Sequence, residues 1–356
     1  MSGAASRRIP ELDGLRGIAV LCVIFGHYGS YIVPKVEVFE FASLGVDIFF
    51  VLSGFLIGGI ILDQHRQVGF TASFYGRRAA RILPVYFAVI ALAFAAQALT
   101  AGAPWMDRLL PPWVYAAFLS NFALAHLGRT GLLLNPTWSL AVEEQFYLVM
   151  PWIVMLTPRR SLPWLLGALC VAAIVLRAVF SSDLAATEVL LPCRMDALLI
   201  GVGAALAQRH LDLSQRATAL LAAALATGVV YVLMIAVLKG GATPFAHTAY
   251  ALATACFMLA AINGLSSGGL LRASWLRYFG EISYGLYLVH EPVRILLTGA
   301  FLGTTIFVPG LARIPVSLLA FGIATGLATL SWRTFERPIL QWAARRRALP
   351  AAVPQT

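Results

Sequence analysis

The sequence predicts an all-α fold, a polytopic transmembrane helical bundle of about ten crossings, and three observations support this. The chain of 356 residues is 60% hydrophobic and only 12% charged, whereas soluble domains average roughly 25% charged residues. Apolar stretches of about 20 residues, the length that crosses about 30 Å of hydrocarbon as a helix, recur along the chain. Its arginines cluster in short connections between these stretches, as they do in cytoplasmic loops.

The apolar stretches and the arginine clusters together give the order of the elements. With the N-terminus in the cytoplasm, helices at 14–33, 43–63 and 82–101 leave the cluster Arg77 to Arg81 inside. Segment 113–127 is short, and a full crossing there would move every later arginine cluster outside, so we expect it to be re-entrant or interfacial. The remaining crossings are predicted at 138–157, 163–180, 190–207, 217–238, 246–265, 281–302 and 313–332. Both termini then lie in the cytoplasm.

We expect one integral membrane domain over residues 1–340, followed by a short, basic, disordered cytoplasmic tail over 341–356. The net charge of +10 could indicate a nucleic-acid partner. Such a partner requires a contiguous basic face with interleaved aromatic residues, whereas here the basic residues are spread over separate connections. We therefore expect no nucleic-acid partner.

The first predicted helix carries two ionisable side chains on one face. Arg16 and His27 are eleven residues apart, which at about 100° per residue returns to within about 20° of the same direction. They are separated by roughly 16 Å along the axis, which puts Arg16 near one surface and His27 near mid-depth. Asp13 precedes Arg16 by about one turn. Ionisable groups inside a membrane are costly and indicate a transport pathway or a reaction centre.

Further polar side chains lie where hydrocarbon is expected, and several of them could converge around His27 in the outer half of the bilayer. They are Asp47, Glu143, Glu144, Arg194 and His290. Several of these side chains also have a structural explanation. Asp47 and Arg194 could form ion pairs at helix ends, His290 could be a buried core donor, and Trp138 could belong to the interfacial aromatic belt.

Arg77, Arg78 and Arg81 lie within about one helical turn of one another. One explanation is ordinary anchoring of a cytoplasmic loop. The other is a phosphate clamp, because arginine pairs bidentately with phosphate. The residues alone leave both explanations open.

Six motifs in order resemble the membrane-bound acyltransferase family 3, which uses acyl-CoA to acylate bacterial cell-surface glycans. The resemblance covers nearly the whole chain. The motifs are LDGLRG (12–17) with His27, GVDIFFVLSGFLI (45–57), FYGRRAARILP (74–84), TWSLAVEEQFY (137–147), ISYGLYLVH (282–290) and FERP (335–338).

The resemblance implies roles for the residues above. Arg16, Arg77, Arg78 and Arg81 would bind the phosphates of a cytoplasmic acyl-CoA, and His27 would act as general base near mid-depth. A histidine with an ordinary pKa of about 6.5 suits that role. A carboxylate would orient the His27 ring, with Glu143 as the first choice and Asp47 as the second. Possible supporting residues are Asp13, Trp138, Ser139, Glu144, Arg194 and His290.

The partners implied are an acyl-CoA donor, with acetyl-CoA as the first expectation, a hydroxyl of an extracytoplasmic or lipid-linked glycan, and the bilayer itself. The expected location is the bacterial cytoplasmic membrane. We expect neither a metal ion nor a permanently bound cofactor. The alternative function is a proton-coupled transporter, which also places ionisable side chains inside helices. Transporters often have duplicated halves, and the sequence has no internal repeat.

Overall fold

Helices form almost all of the regular structure in the computed structural model, which describes residues 9–32, 41–128, 130–238, 244–264, 268–304 and 313–348. A 3₁₀ turn (Leu132–Leu134) precedes the sixth helix, and a π-helical turn (Trp332–Glu336) joins the last two. The helices are α1 (Pro10–Ile32), α2 (Phe41–Gln64), α3 (Phe70–Leu99), α4 (Pro112–Ala116), α5 (Ser120–Leu127), α6 (Thr137–Leu156), α7 (Leu162–Val179), α8 (Leu184–Val189), α9 (Leu191–His210), α10 (Ala217–Leu238), α11 (Ala246–Ile262), α12 (Gly268–Leu271), α13 (Ser274–Leu302), α14 (Arg313–Ser331) and α15 (Arg337–Ala348).

The predicted all-α membrane bundle is confirmed. Within the described ranges, eight helical segments are long and apolar enough to cross a membrane. Each of the ten predicted crossings coincides with a helix. The two outside the eight are α11, which has 17 residues, and α13, which contains four charged residues. The number of crossings and their sidedness stay predictions.

The third helix is longer than predicted, because α3 begins at Phe70 rather than near residue 82. Its start follows Gly69, whose positive φ of 73° ends the preceding turn. Phe70 and Phe74 are buried one turn apart and hold the first part of the helix against the bundle. Arg77, Arg78 and Arg81 lower the mean hydropathy of this stretch, so the sequence pattern did not reveal residues 70–81 as part of the helix. They therefore lie on a helix and not in a connection.

Segment 113–127 forms two short helices, α4 with five residues and α5 with eight. At 1.5 Å per residue α5 is about 12 Å long, well short of the roughly 30 Å hydrocarbon core. It packs against α6 and α8. This agrees with the prediction that the segment does not cross the membrane as one helix.

The C-terminal tail differs from expectation, because α15 extends through Arg337–Ala348. The prediction of disorder from residue 341 is therefore wrong for 341–348, while 349–356 lie outside the described residues. The π-helical turn before α15 continues the helical path from α14. The basic side chains of α15 lower its hydropathy, so the sequence pattern did not predict this helix.

The core forms around α1, which packs between α2 and α13. Two glycines allow the closest approach: a Cβ on Gly17 would overlap the backbone carbonyl of Leu276, and one on Gly280 would overlap that of Asp13. On the other side of α2, helix α9 packs closely, and α7 and α11 each pack on α9. The α1–α13 contact brings together side chains that are distant in sequence.

Candidate active site

A small polar cavity lies where α1, α2, α3, α6 and α13 meet. Its volume is about 90 Å³, below the roughly 300–1,000 Å³ of typical ligand pockets. An extended ligand therefore requires these helices or their side chains to move apart. The polar side chains of the wall are Arg16, Ser53, Arg78, Arg81, Ser139, Glu143, Tyr147, Ser283, Tyr284 and Tyr287.

Three of the four predicted phosphate-binding arginines face this cavity: Arg16 from α1, and Arg78 and Arg81 from α3. The guanidinium carbon of Arg78 lies 5.5 Å from the centre of the Tyr147 ring, within the range of a cation–π interaction. Asp13 lies within electrostatic range of Arg16. Its negative charge therefore offsets part of the repulsion among the three arginines. The arrangement is a concentrated positive site suited to an anion.

Arg77 is not part of the cavity wall. Its guanidinium donates hydrogen bonds to Ser73 Oγ at 2.6 Å and Gln64 Oε1 at 2.9 Å. Arg77 and Arg78 are consecutive, so about 100° of helical rotation separates their directions. Arg77 therefore does not line the cavity with Arg16, Arg78 and Arg81, and its role in phosphate binding stays a prediction.

Glu143 lies on the cavity wall with the arginines. Its carboxylate accepts hydrogen bonds from Ser53 at 2.9 Å and from Tyr147 at 2.8 Å. The Ser53 and Tyr147 hydroxyls also lie 2.6 Å apart. These contacts fix the carboxylate among the arginines, not against His27, so the structure does not bear out the predicted Glu143–His27 pair.

His27 instead pairs with His290 across the α1–α13 interface. His27 Nδ1 lies 2.8 Å from His290 Nε2, and the two rings are 10° from parallel. His290 Nδ1 lies 2.6 Å from the backbone oxygen of Tyr287. Tyr28 donates to the backbone oxygen of His290 at 2.7 Å, which fixes the position of that helical turn.

These contacts determine which nitrogen of neutral His27 carries the proton. A carbonyl oxygen only accepts, so His290 Nδ1 must be the protonated nitrogen and His290 Nε2 must be an acceptor. His27 Nδ1 therefore donates to it. The lone pair of His27 is left on Nε2, which is the atom available to take up a proton.

A carboxylate does lie near this pair, but it is Glu291, which the sequence interpretation did not assign. Ligand atoms of His27, His290 and Glu291 all fall within 4.8 Å of one another. The Glu291 carboxylate is held by Arg294 at 2.9 and 2.5 Å. Because the facing ring nitrogens bond to each other and the carboxylate is already paired, the arrangement favours proton transfer over metal binding.

Tyr287 connects the histidine pair to the cavity. Its backbone oxygen accepts from His290, while its hydroxyl, on the cavity wall, lies 2.5 Å from Ser139 Oγ. Ser139, one of the residues given a possible supporting role, thus lies on the cavity wall. Trp138 packs edge-on against Phe50 at 6.5 Å and does not line the cavity.

Asp47 belongs to a second, separate cluster. It pairs with Arg194, and its other oxygen lies 3.1 Å from His247 Nδ1. Glu188 lies 2.9 Å from His247 Nε2 and 3.0 Å from Arg194. Asp47 and Arg194 are almost fully buried. The structural ion pair was therefore the right alternative, and Asp47 as a partner of His27 is corrected.

Several residues of these networks escaped the sequence interpretation, although one signal could have found them. Arg177 and His247 are ionisable side chains inside apolar segments, which by default have a specific partner. Arg177 pairs with buried Asp196 at 2.7 Å, and His247 bridges two carboxylates. Among the predicted supporting residues, Glu144 has one buried carboxylate oxygen without a hydrogen-bond partner, beside but not within the cavity wall.

Residues 9–333 match the family model described as an acyltransferase domain. The putative peptidoglycan O-acetyltransferase YrhL of Bacillus subtilis is 30% identical over 381 residues, covering 94% of this chain and 55% of that protein. The peptidoglycan O-acetyltransferase OatA of Listeria monocytogenes is 28% identical over 362 residues, covering 93% of this chain and 56% of that protein.

The O-acetyltransferase OatA of Staphylococcus aureus is 25% identical over 369 residues, covering 94% of this chain and 57% of that protein. The chain thus spans about half the length of the curated relatives that it matches. No solved structure matches the chain significantly.

Proposed function

The chain belongs to the acyltransferase domain family, whose model covers residues 9–333, and from this we propose that it moves an acetyl group from cytoplasmic acetyl-CoA to a glycan hydroxyl. The acceptor is an extracytoplasmic glycan, with peptidoglycan favoured by the names of the relatives. The enzyme acts as a multi-pass protein of the cytoplasmic membrane.

The observation that carries the proposal is the alignment of two kinds of site along α1. Arg16 joins Arg78 and Arg81 at one cavity, and His27 lies eleven residues further along the same helix, roughly 16 Å away. A donor with a phosphate-rich head and a long flexible arm fits this separation. Its phosphates pair with the arginines, while its thioester extends towards the imidazole.

In the proposed reaction, His27 Nε2 takes the proton of the acceptor hydroxyl while the hydroxyl oxygen attacks the thioester carbonyl carbon. The tetrahedral intermediate then collapses, its carbon–sulfur bond breaks, and the sulfur leaves as the thiolate of CoA. The imidazolium returns its proton to that thiolate. The products are the acetyl ester and free CoA thiol, and His27 is neutral again.

His290 and Glu291 assist without touching the substrates. His290 Nε2 accepts the hydrogen bond from His27 Nδ1–H and so keeps the Nε2 lone pair of His27 directed at the substrate. The nearby Glu291 carboxylate favours the positive charge that develops on the ring, and Arg294 holds that carboxylate in place. The wall residues must open, since about 90 Å³ does not hold a pantetheine arm.

The test is release of CoA thiol by purified protein in nanodiscs, with acetyl-CoA and a soluble peptidoglycan fragment. We expect His27→Ala to lower turnover about 10²–10⁴-fold, the usual effect of removing a general base. His126→Ala is the matched control, because His126 is an exposed histidine on α5. Near wild-type turnover by correctly folded His27→Ala protein would rule out this mechanism.

A further inference from the structure

A wide apolar groove lies on the side of the bundle away from the candidate active site. Its volume is about 1050 Å³, and none of its wall residues lines the small polar cavity of the candidate active site. Helices α7 and α11 form its sides, and each packs on α9, which forms its floor. Nothing in the proposed acetyl transfer uses this groove.

The floor of the groove matches the length of one lipid acyl chain within a leaflet. It runs along α9 from Leu199 to His210, eleven residues or about 16 Å, which is close to half of the roughly 30 Å hydrocarbon core. At Gly203 on the floor, a Cβ would meet no atom within 4 Å. Leu166 and Leu252 contribute to the two sides. An alkyl chain can therefore lie directly on the helix backbone.

One end of the groove, near the C-terminus of α9, is positively charged. Arg159 and Arg160 line this end and are exposed, and neither has a hydrogen bond or ion pair with any residue that the structure describes. Arg209, also at this end, is neutralised by Asp63 through two hydrogen bonds of 2.7 Å. A neighbouring pocket that shares Arg159 adds Arg66. The charge excess at this end is therefore positive and available to an anion.

We propose that this groove binds one anionic phospholipid, with an acyl chain along α9 and the phosphate paired with Arg159 and Arg160. The lipid would fill the space between α7 and α11. A second copy of the chain is disfavoured, because an isologous contact places the same patch on both subunits and would bring like-charged arginines together. The inference does not depend on the proposed acetyl transfer.

Native mass spectrometry of delipidated protein tests the proposal by titration with dioleoyl phosphatidylglycerol or dioleoyl phosphatidylcholine. We expect one phosphatidylglycerol to bind with an apparent Kd at least tenfold lower than that of phosphatidylcholine. The double variant Arg159→Gln, Arg160→Gln should abolish this preference, because each arginine contributes roughly fivefold to the affinity for an anionic lipid. Gly203→Leu should raise the apparent Kd of both lipids at least tenfold, because the leucine side chain fills the groove.

Gly322→Leu is the matched control, since a Cβ at this helical glycine would also meet no atom within 4 Å, but Gly322 lies on α14. It should leave both affinities unchanged. Equal binding of the two lipids by the native protein, or unchanged binding by Gly203→Leu, would overturn the proposal. So would displacement of phosphatidylglycerol by glycerol phosphate at equal concentration, or a protein dimer without bound lipid.

Discussion

Replacing His290 with Phe tests how the histidine pair directs proton transfer. The change removes the acceptor of the His27 Nδ1–H bond, which is 2.8 Å long. In the transition state this bond is made by an imidazolium, and hydrogen bonds from charged groups contribute about 1.5–3 kcal/mol. With about 1.4 kcal/mol for each tenfold in rate, turnover should fall about 10- to 150-fold. The KM for acetyl-CoA should not change, because His290 does not line the arginine cavity.

Single-turnover and steady-state release of CoA thiol measures both parameters. His290→Gln should recover most of the lost turnover, because an amide oxygen can accept from His27 while its NH₂ donates to the Tyr287 carbonyl. Tyr278→Phe is the control, since it removes only a hydroxyl contact of α13 with Thr329 on α14 and should leave turnover unchanged. The reasoning is refuted if His290→Phe keeps native turnover, or if the Gln variant is no better than the Phe variant in equally stable protein.

Three further predictions concern the donor site, the second ionic cluster and the topology. Arg78→Ala should raise the KM for acetyl-CoA about tenfold or more, because a charge-assisted bond to phosphate contributes about 1.5–3 kcal/mol; Lys should substitute only partly, and an unchanged KM would refute the clamp. Asp47→Asn should destabilise the protein by about 3 kcal/mol by leaving buried Arg194 partly uncompensated; a catalytic Asp47 would instead lower turnover at an unchanged melting temperature. In a protein without its native cysteines, Ser182→Cys should react with an impermeant maleimide from outside and Ser161→Cys only from inside, and labelling of both from one side would refute the topology.

Much of the fold could be predicted, because crossing a membrane imposes a length and an apolar composition that single segments reveal. The prediction for the helix at 217–238 matches α10 to the residue. The predicted helix boundaries were less accurate where charged side chains lie on helices, as at the start of α3 and in α15. Hydropathy treats such residues as loop signals. In the folded bundle, however, Arg78 and Arg81 face a polar cavity and do not end the helix.

The candidate site was only partly predictable, because helical spacing orders residues on one helix but does not pair different helices. The shared face of Arg16 and His27 follows from one helix and was derived from their spacing. The partner of His27 depends on how closely α1 and α13 approach, which Gly17 and Gly280 permit. Asp47 and Glu143 were therefore chosen as partners for their depth in the membrane, while the actual contact is made by His290.

The pairing of His27 with His290 also has a consequence for biosynthesis. The two residues are 263 positions apart, so at about 5–20 residues per second the second histidine is made on the order of 10–50 s after the first. For most of that interval, once Arg81 has been made, the nascent chain already contains its general base and its three cavity arginines. It lacks the acceptor that sets the tautomer of His27. A ribosome-stalled chain that ends before α13 lacks both this acceptor and the α13 side of the cavity wall. It should therefore insert its first helices yet release little CoA thiol from acetyl-CoA, which makes synthesis of α13 a condition for activity.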